Sequence, residues 1–253
     1  MNPPASAPQP IGGVLDDAIK LCRACTPGCW LLALCSQSAA VLPLLTLQAR
    51  LRHWTIADPL AALAVLRSGR FVLSAVIGLL AFQIFYYALI DSMNGVATGT
   101  PATLARSIGV GIRRLPRGCL TTILVGLIIG AGFILLIVPG IYWAGTLLLA
   151  FVVLVVEDAG ILQSLRTSSR LVKWRWWQSM TIYSVALIIA AACYFMLGLS
   201  GGLLVVLLGP LHWSALDAQL ALSVIGNTLL TVALTATLLA IYHDLKLRST
   251  VGG

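Results

Sequence analysis

The sequence predicts an all-α fold, a polytopic membrane helical bundle of six transmembrane helices with amphipathic interfacial helices. Of its 253 residues, 59% are hydrophobic and only 9% are charged, whereas a soluble domain carries about 25% charged residues. Six apolar runs approach or exceed the roughly 20 residues that cross the hydrocarbon core of a bilayer. The charged residues lie almost wholly between those runs. So little charge excludes a globular domain with a water-covered surface.

Each apolar run is predicted to be a helix, because a segment in lipid must satisfy its own backbone hydrogen bonds. The predicted spans are Cys29–Leu47, Phe71–Ile90, Cys119–Val138, Ile141–Val156, Ser179–Leu199 and Gln219–Tyr242. Residues 1–10 are predicted to be a disordered tail rich in Pro, Ala and Ser, residues 11–248 a single six-helix membrane domain, and residues 249–253 a short tail. The glycine cluster Gly198–Gly202 either kinks the fifth helix or ends it, and both alternatives are compatible with the sequence.

Pro139 and Gly140 separate the third span from the fourth and predict a structural hairpin turn. Proline cannot continue a helix, and glycine permits a tight reversal of the chain. We therefore expect these two spans to form a helical hairpin with almost no loop.

The basic residues predict which side of the membrane each connection faces. Twelve of the sixteen lie in the N-terminal segment, at the C-terminus, and in the gaps that follow spans two and four. The other four, Arg50, Arg52, Arg67 and Arg70, lie in the first long loop. Basic residues accumulate in cytoplasmic loops, and thirteen Arg against three Lys suit a bacterium with a GC-rich genome. The distribution predicts a multi-pass protein of the bacterial inner membrane with cytoplasmic N- and C-termini.

Three segments that precede odd-numbered spans carry an apolar stripe on one helical face and basic residues on the other. The stripes are Ile11, Leu15, Ala18, Cys22 and Cys25, then Leu104, Ile108, Ile112 and Leu115, then Ile161, Leu165, Ser168 and Val172. Basic amphipathic helices of this kind lie in the membrane interface. One interpretation is therefore a chain of three units, each an interfacial helix followed by two spans.

The basic residues of the second and third segments are candidates for contact with anionic lipid or with a protein partner. They are Arg106, Arg113, Arg114, Arg117, Arg166, Arg170, Lys173 and Arg175. Each basic group near an anionic leaflet contributes about 1 kcal/mol. The simpler alternative, which the sequence alone favours, is that these helices only anchor the bundle. Trp174, Trp176 and Trp177 are likewise typical of an aromatic belt at headgroup level.

Glu157 and Asp158 follow the fourth span and form a candidate ion pair or polar site. Carboxylates at a helix C-terminus oppose the helix dipole, so we expect them to pair with the Arg and Lys residues of the next segment. The spacing of Cys22, Cys25 and Cys29 weakly suggests a metal site. Buried thiols that act as small apolar residues are the favoured interpretation, and no metal or other cofactor is predicted.

The stretch around the predicted hairpin resembles a known bacterial family. The matching residues are Ile137-Val138-Pro139-Gly140-Ile141, Glu157-x2-Gly160, Leu165-Arg166-x-Ser168-x2-Leu171 and Trp177. They are similar to a signature of YciC-like six-helix inner-membrane proteins, which are related to the membrane domain of some glycerophosphodiester phosphodiesterases. Trp174 stands where that signature usually has Gly, and a basic residue common after the turn is missing. The resemblance implies the six-span fold and an inner-membrane location. The phosphodiesterase activity is not inferred from it, because the matching stretch belongs to the membrane domain and not to the catalytic domain.

These observations favour a non-enzymatic membrane protein that acts in envelope or lipid homeostasis, or as an accessory membrane subunit. Its expected partners are membrane lipids, and either a membrane protein or a second copy of the chain; no nucleic acid is expected. The alternative is a small-molecule transporter or channel, with Gln83, Asn227 and Glu157 near a path. Because no charged residue lies near the middle of a span, the sequence argues against a proton-coupled pump.

Overall fold

The computed structural model describes residues 10–51, 67–208 and 215–251, with side chains described for 10–46, 67–200 and 220–250. The helices are α1 (Ile11–Ala24), α2 (Pro27–Leu51), α3 (Gly69–Ala97), α4 (Leu104–Leu135), α5 (Ile137–Thr146), α6 (Ala150–Val156), α7 (Ile161–Lys173), α8 (Trp176–Leu208) and α9 (Ala215–Val251). No strand occurs in these ranges. The predictions for residues 1–9, 252–253 and Arg52, and for the side chain of Arg50, lie outside the described part.

Six stretches are long and apolar enough to cross a membrane, so the predicted all-α, six-span class is confirmed. They are Pro27–Thr46, Gly69–Ala97, Leu104–Leu135, Ile137–Val156, Trp176–Ser200 and Leu220–Thr250. The fifth stretch belongs to a helix that continues without interruption through 198–202 to Leu208. The glycine cluster therefore does not end that helix.

Helix α1 is a separate amphipathic helix that packs against α9. Its buried residues are Val14, Ala18 and Leu21. The predicted stripe is therefore rotated, since Ile11 is 43% exposed. The bonded pair Asp17 and Lys20, with Nζ and Oδ1 3.2 Å apart, lies on the outer side. The exposed side of α1 thus carries charged residues together with Ile11 and with Ile19, which is 47% exposed.

Helices α2 and α3 lie against each other through small residues. Pro43 lies inside α2 and, having no N–H, leaves the carbonyl of Ala39 without its helical donor. Gly78 of α3 lies at that point, because an added Cβ would be 2.7 Å from the Ala39 oxygen and 3.3 Å from Pro43 Cδ. Thr46 Oγ1 and Ser74 Oγ are 3.0 Å apart nearby. Close backbone approach, which membrane helices use to gain van der Waals contact, joins this pair.

The segment before span three is not a separate interfacial helix but the first part of α4, which has 32 residues and is about 48 Å long. Its buried residues include Ser107, Gly111 and Gly118, whereas Ile112 of the predicted stripe is 56% exposed. Gly111 packs on the backbone of α3 at Ile84. The face of this segment that packs against the bundle therefore carries small residues rather than the apolar stripe. In lipid, apolar residues face outward and small residues let helices approach.

The hairpin between α4 and α5 turns at Leu136, earlier than predicted. Leu136 is extended, with φ −166° and ψ 151°, while Pro139 and Gly140 lie in the first turn of α5. A proline removes the hydrogen bond to the carbonyl four residues earlier and its ring clashes there, which is why α4 ends at Leu135. The glycine serves close approach, since an added Cβ on Gly140 would be 2.8 Å from the ring of Phe133.

The fourth span is divided into α5 and α6 by a turn at residues 147–149. Leu149, Ala150 and Val152 to Leu154 have no exposed surface. Helix α6 packs against α3, α4, α7 and α9. This short helix is therefore the centre of the described bundle, and it carries Glu157 and Asp158 at its end.

Helix α7 is the second separate amphipathic helix, and its buried residues are Ser164, Leu165, Ser168 and Val172. Three of these four belong to the predicted stripe. Ser168 Oγ donates a 2.8 Å hydrogen bond to the carbonyl of Thr146, where the fourth span is interrupted. In the first and third predicted units, the interfacial helix (α1 or α7) is separate from the span that follows it. In the second unit it is continuous with that span in α4.

Gly111 provides a test of close packing with a control in the same helix. Gly111→Ala is expected to destabilise the protein by about 1–3 kcal/mol, the usual cost of overpacking, because the new Cβ overlaps the Ile84 carbonyl. Gly126→Ala should not, since a Cβ at Gly126 meets no atom within 4 Å. Thermal unfolding in detergent, followed by tryptophan fluorescence, measures both. Equal melting temperatures for the two variants would contradict the packing described for α3 and α4.

Candidate functional site

The polar centre of the protein begins where α6 ends. Glu157 closes that helix with φ −94° and ψ 1°. Asp158 has a φ of +54°, a left-handed conformation that Asp tolerates better than most residues. This backbone turns the chain from the buried α6 toward α7 and points consecutive carboxylates at different helices.

Glu157 is bound by the last helix. Its Oε1 accepts hydrogen bonds from Tyr242 Oη at 2.8 Å and from Lys246 Nζ at 2.7 Å. The Lys246 ammonium also donates to Tyr242 Oη at 2.9 Å and lies 5.3 Å from the ring centroid. Burial raises the pKa of the Glu157 carboxyl, but the hydrogen bonds from Lys246 and Tyr242 outweigh it and leave that pKa below its ordinary value. Glu157 is therefore held as a carboxylate.

Asp158 is bound by α4 instead. Its Oδ1 pairs with the guanidinium of Arg114 and lies 3.0 Å from Arg117 Nη1. The Arg114 side chain is only 11% exposed, and its buried Nε has no hydrogen-bond partner among the described residues. Arg114 is thus a structural cation, because a guanidinium this deeply buried needs a carboxylate beside it.

Both carboxylates are ion-paired, but their partners differ from those predicted. We expected the basic residues of the following helix, and only Arg170 acts on Glu157, through electrostatic attraction. The partners come from α4 and α9, which are distant in sequence. The one local signal was the spacing of Tyr242 and Lys246, which places both on one face of α9.

Three further polar contacts gather at the same end of the bundle. Ser107 Oγ donates to Asp91 Oδ2 at 2.9 Å, and His243 Nε2 lies 3.1 Å from Asn94 Oδ1. Arg248 Nε lies 2.7 Å from Asp244 Oδ2. We call this end, defined by these contacts together with Glu157 and Asp158, the basic end. It joins α3, α4, α6 and α9, so the polar groups fasten the helices to one another.

The exposed face of α7 has a different character. Arg166, Arg170 and Lys173 are all exposed. Within the described residues, the side chains of Arg166 and Lys173 form no hydrogen bond or ion pair, and the same holds for the side chains of Arg106 and Arg113 of α4. Uncompensated charge on an amphipathic helix is what attracts anionic headgroups.

The tryptophan cluster after α7 is divided between two roles. Trp174 is 88% exposed and Trp177 78% exposed. Trp176 instead packs inward, with its ring 5.8 Å from that of Tyr142 and its Nε1 donating to the Tyr142 carbonyl at 3.3 Å. Arg175 Nη1 donates to Gln178 Oε1 at 3.0 Å. The exposed rings and the guanidinium therefore share one outer surface.

The eight predicted contact residues therefore do not form one site. Arg114 and Arg117 are held by Asp158, and the other six side chains point outward in two groups. One group is on α4, with Arg106 and Arg113. The other runs along α7 and into α8, with Arg166, Arg170, Lys173 and Arg175. The second group has more charge and the exposed tryptophans beside it.

The polar residues that we considered for a transport path are engaged separately. Gln83 Oε1 accepts from Tyr87 Oη at 3.3 Å and from Cys119 Sγ at 3.3 Å. Glu157 is bound by Tyr242 and Lys246, as described above. Asn227 is half-buried in α9. Between them, the described helices are packed mainly with apolar side chains.

The cysteines at the start of the chain lie in a packed environment. Cys29 has no exposed surface, and its Sγ lies 3.3 Å from Ser92 Oγ. Burial raises the pKa of Cys22, and a hydrogen bond with Cys29 together with burial raises the pKa of Cys25. In the described ranges, no group of three His, Cys, Asp or Glu residues is placed to hold a metal ion.

Comparison with known proteins finds a similarity to a bacterial membrane protein. The UPF0259 membrane protein SG1383 of Sodalis glossinidius (strain morsitans) is 34% identical over 94 residues. The match covers 37% of this chain and 38% of the length of that relative. No family model matches the chain, and no solved structure matches it. The similarity and the six apolar helices together establish a multi-pass membrane protein related in part to a bacterial membrane protein.

Neutralising Glu157 tests the contacts of the basic end. Glu157→Gln keeps the acceptor for Tyr242 but loses the charge that holds Lys246, so it should destabilise the protein. The expected cost is roughly 1–2 kcal/mol, because the ammonium is half exposed and such pairs are weakened by solvent. Asp16→Asn, on the exposed face of α1, is the matched control and should melt like the wild type.

The effect of Glu157→Gln on stability should depend on pH. The folded pKa of Glu157 lies below the ordinary value of 4.5, so its contribution to stability is complete above that pH. It is lost as the pH falls through the folded pKa, because protonation then costs the native state its ion pair. The difference in melting temperature between wild type and Glu157→Gln should therefore shrink as the pH falls below 4.5. A difference that stays constant from neutral to acidic pH would show that Glu157 is not held as a carboxylate.

Proposed function

We propose that this protein is a non-enzymatic, multi-pass protein of the bacterial inner membrane that acts in envelope or lipid homeostasis. It does so either directly or as an accessory subunit of a membrane partner or of a second copy of itself. The working surface is the exposed basic face of α7, which contacts the anionic headgroups of the cytoplasmic leaflet. Both chain termini lie on that cytoplasmic side.

The observation that carries the proposal is the contrast between two sets of basic residues. Arg114, Arg117 and Lys246 are bound by carboxylates and stabilise the fold. Arg166 and Lys173 are exposed and have no partner in the described part of the chain. Since only eight residues of the chain are acidic, the outer set keeps its attraction for anionic lipid.

The resemblance to YciC-like inner-membrane proteins supports the location and the six-span layout. The related membrane domain of some phosphodiesterases suggests work close to lipids, and the proposal carries over no catalytic activity from it. A transporter or channel is the weaker candidate, because Gln83 and Glu157 are engaged in separate contacts. A path for a polar solute needs such groups to line one continuous cavity.

Loss of the protein should change the lipid composition of the membrane. We expect lipid extracts of a deletion strain to differ from the parent, and wild-type protein to restore them. The variant Arg166→Gln/Arg170→Gln/Lys173→Gln should restore them less well, because it removes the exposed charge of α7. Arg67→Gln/Arg70→Gln, which neutralises exposed residues at the start of α3, is the control and should restore them fully. Unchanged lipids in the deletion strain, with no lipid or partner retained in native mass spectrometry, would refute the proposal.

The orientation is tested by reporter fusions. A reporter inserted near Asp217 should be active only in the periplasm, and one placed after Arg248 only in the cytoplasm, because the basic connections stay inside. Alkaline phosphatase and green fluorescent protein fusions report the two sides. The opposite pattern would reverse the side assignment. Helix α7 would then face the periplasmic leaflet and not the cytoplasmic one.

A further inference from the structure

We propose that a groove between α1, α8 and α9 is a binding site for the headgroup of one anionic glycerophospholipid. This inference deepens the proposed function and rests on it, since it names one site for the anionic lipid that the proposed function places beside α7. The groove lies where α8 begins and α9 ends, beside the first turn of α1. It is a shallow groove, open to the outside over most of its extent, with a volume of about 790 Å³.

The anion-binding wall comes from the start of α8. The Arg175 guanidinium lines the groove and donates to the neutral side chain of Gln178. No carboxylate among the described residues pairs with it. The first N–H groups of a helix have no intrahelical acceptor and carry a partial positive charge. A phosphodiester seated at Arg175 would meet both the guanidinium and the N-terminus of a 33-residue helix.

The opposite wall is polar and fixed. Arg248 lines the groove from α9, and its Nε is held 2.7 Å from Asp244 Oδ2. That pair offsets much of the Arg248 charge, so the net attraction for an anion comes from Arg175. The Arg248 side chain is 18% exposed and therefore shapes the site as a rigid wall.

The rest of the groove suits a lipid better than a free anion. Trp177 is 78% exposed and Ile11 is 43% exposed, and both line the groove. Trp prefers the headgroup level of a membrane, and an apolar side chain there covers the glycerol and the first acyl carbons. Gly12 leaves the space open, because a Cβ added to it would meet no atom within 4 Å. Inorganic phosphate would use only the charged wall.

The exposed face of α7 lacks this construction. The depression there is lined by Leu162, Gln163, Arg166, Thr167 and Arg170, all from one helix. It has no second wall, so its residues attract lipid as a charged surface without holding one molecule. The groove combines three helices, a guanidinium, a helix N-terminus and a tryptophan, and can retain a single headgroup.

Native mass spectrometry of the full chain in nonionic detergent tests the site. The probes are dioleoyl phosphatidylglycerol, dioleoyl phosphatidylcholine and inorganic phosphate, each added to delipidated protein. We expect one phosphatidylglycerol to be retained in preference to phosphatidylcholine. Arg175→Gln should reduce its retention about tenfold, as expected for loss of one charge-assisted contact. Arg70→Gln makes the same change in charge at the start of α3, outside the proposed lipid-contact surface, and should leave retention unchanged.

A second variant separates binding from folding. Gly12→Leu keeps every charge and fills the groove, so it should also reduce retention of phosphatidylglycerol while its melting temperature stays that of the wild type. Wild-type retention that Arg175→Gln and Gly12→Leu leave intact would overturn the groove but keep the proposed function. Equal retention of both lipids by the wild type would overturn the groove and the attraction for anionic lipid together. Tight retention of inorganic phosphate without lipid would show that the groove is a site for a soluble anion.

Discussion

The ion pairs that Glu157 and Asp158 form with basic residues of other helices are the interaction on which the rest of the structure depends. Both carboxylates stand at the end of α6, whose residues are almost completely buried, and a helix C-terminus disfavours negative charge. They are stabilised by cations and a hydroxyl from α4 and α9. Three helices far apart in sequence are therefore joined at one end of the bundle, and α6 is fixed between them.

Away from that end, the helices are held together by close packing of their backbones. Inside a bilayer, lipid tails are as apolar as leucine, so burying leucine against another helix gains little. Gly78, Gly111 and Gly118 lie on the contact faces of α3 and α4, while Ile112, Leu120 and Leu127 face outward. Backbone approach and short hydroxyl contacts then supply the attraction. The ion pairs, in contrast, act where water reaches the helix ends.

Some of these features could be predicted from the sequence and others could not. The six spans could be predicted because length and composition decide insertion, whatever the neighbours are. The buried stripe of α7 could be predicted because that helix has one face toward water and one toward protein. The face of α4 that packs against α3 could not be predicted, because small residues line it and the apolar side chain of Ile112 is exposed. The partners of Glu157 could not either, because Tyr242 and Lys246 meet it only through the tertiary fold.

The basic residues that indicated the topology therefore belong to two sets, one that is paired with carboxylates and one that is not. Arg114 and Arg117 share the single carboxylate of Asp158, so they contribute to the fold and part of their charge is offset. Arg166, Lys173 and Arg175 are exposed and have no carboxylate partner among the described residues, so they create that potential. Only the second set can respond to lipid without unfolding the bundle. The same end of the bundle thus combines ion pairs that join helices with exposed basic side chains on α7 and at the start of α8.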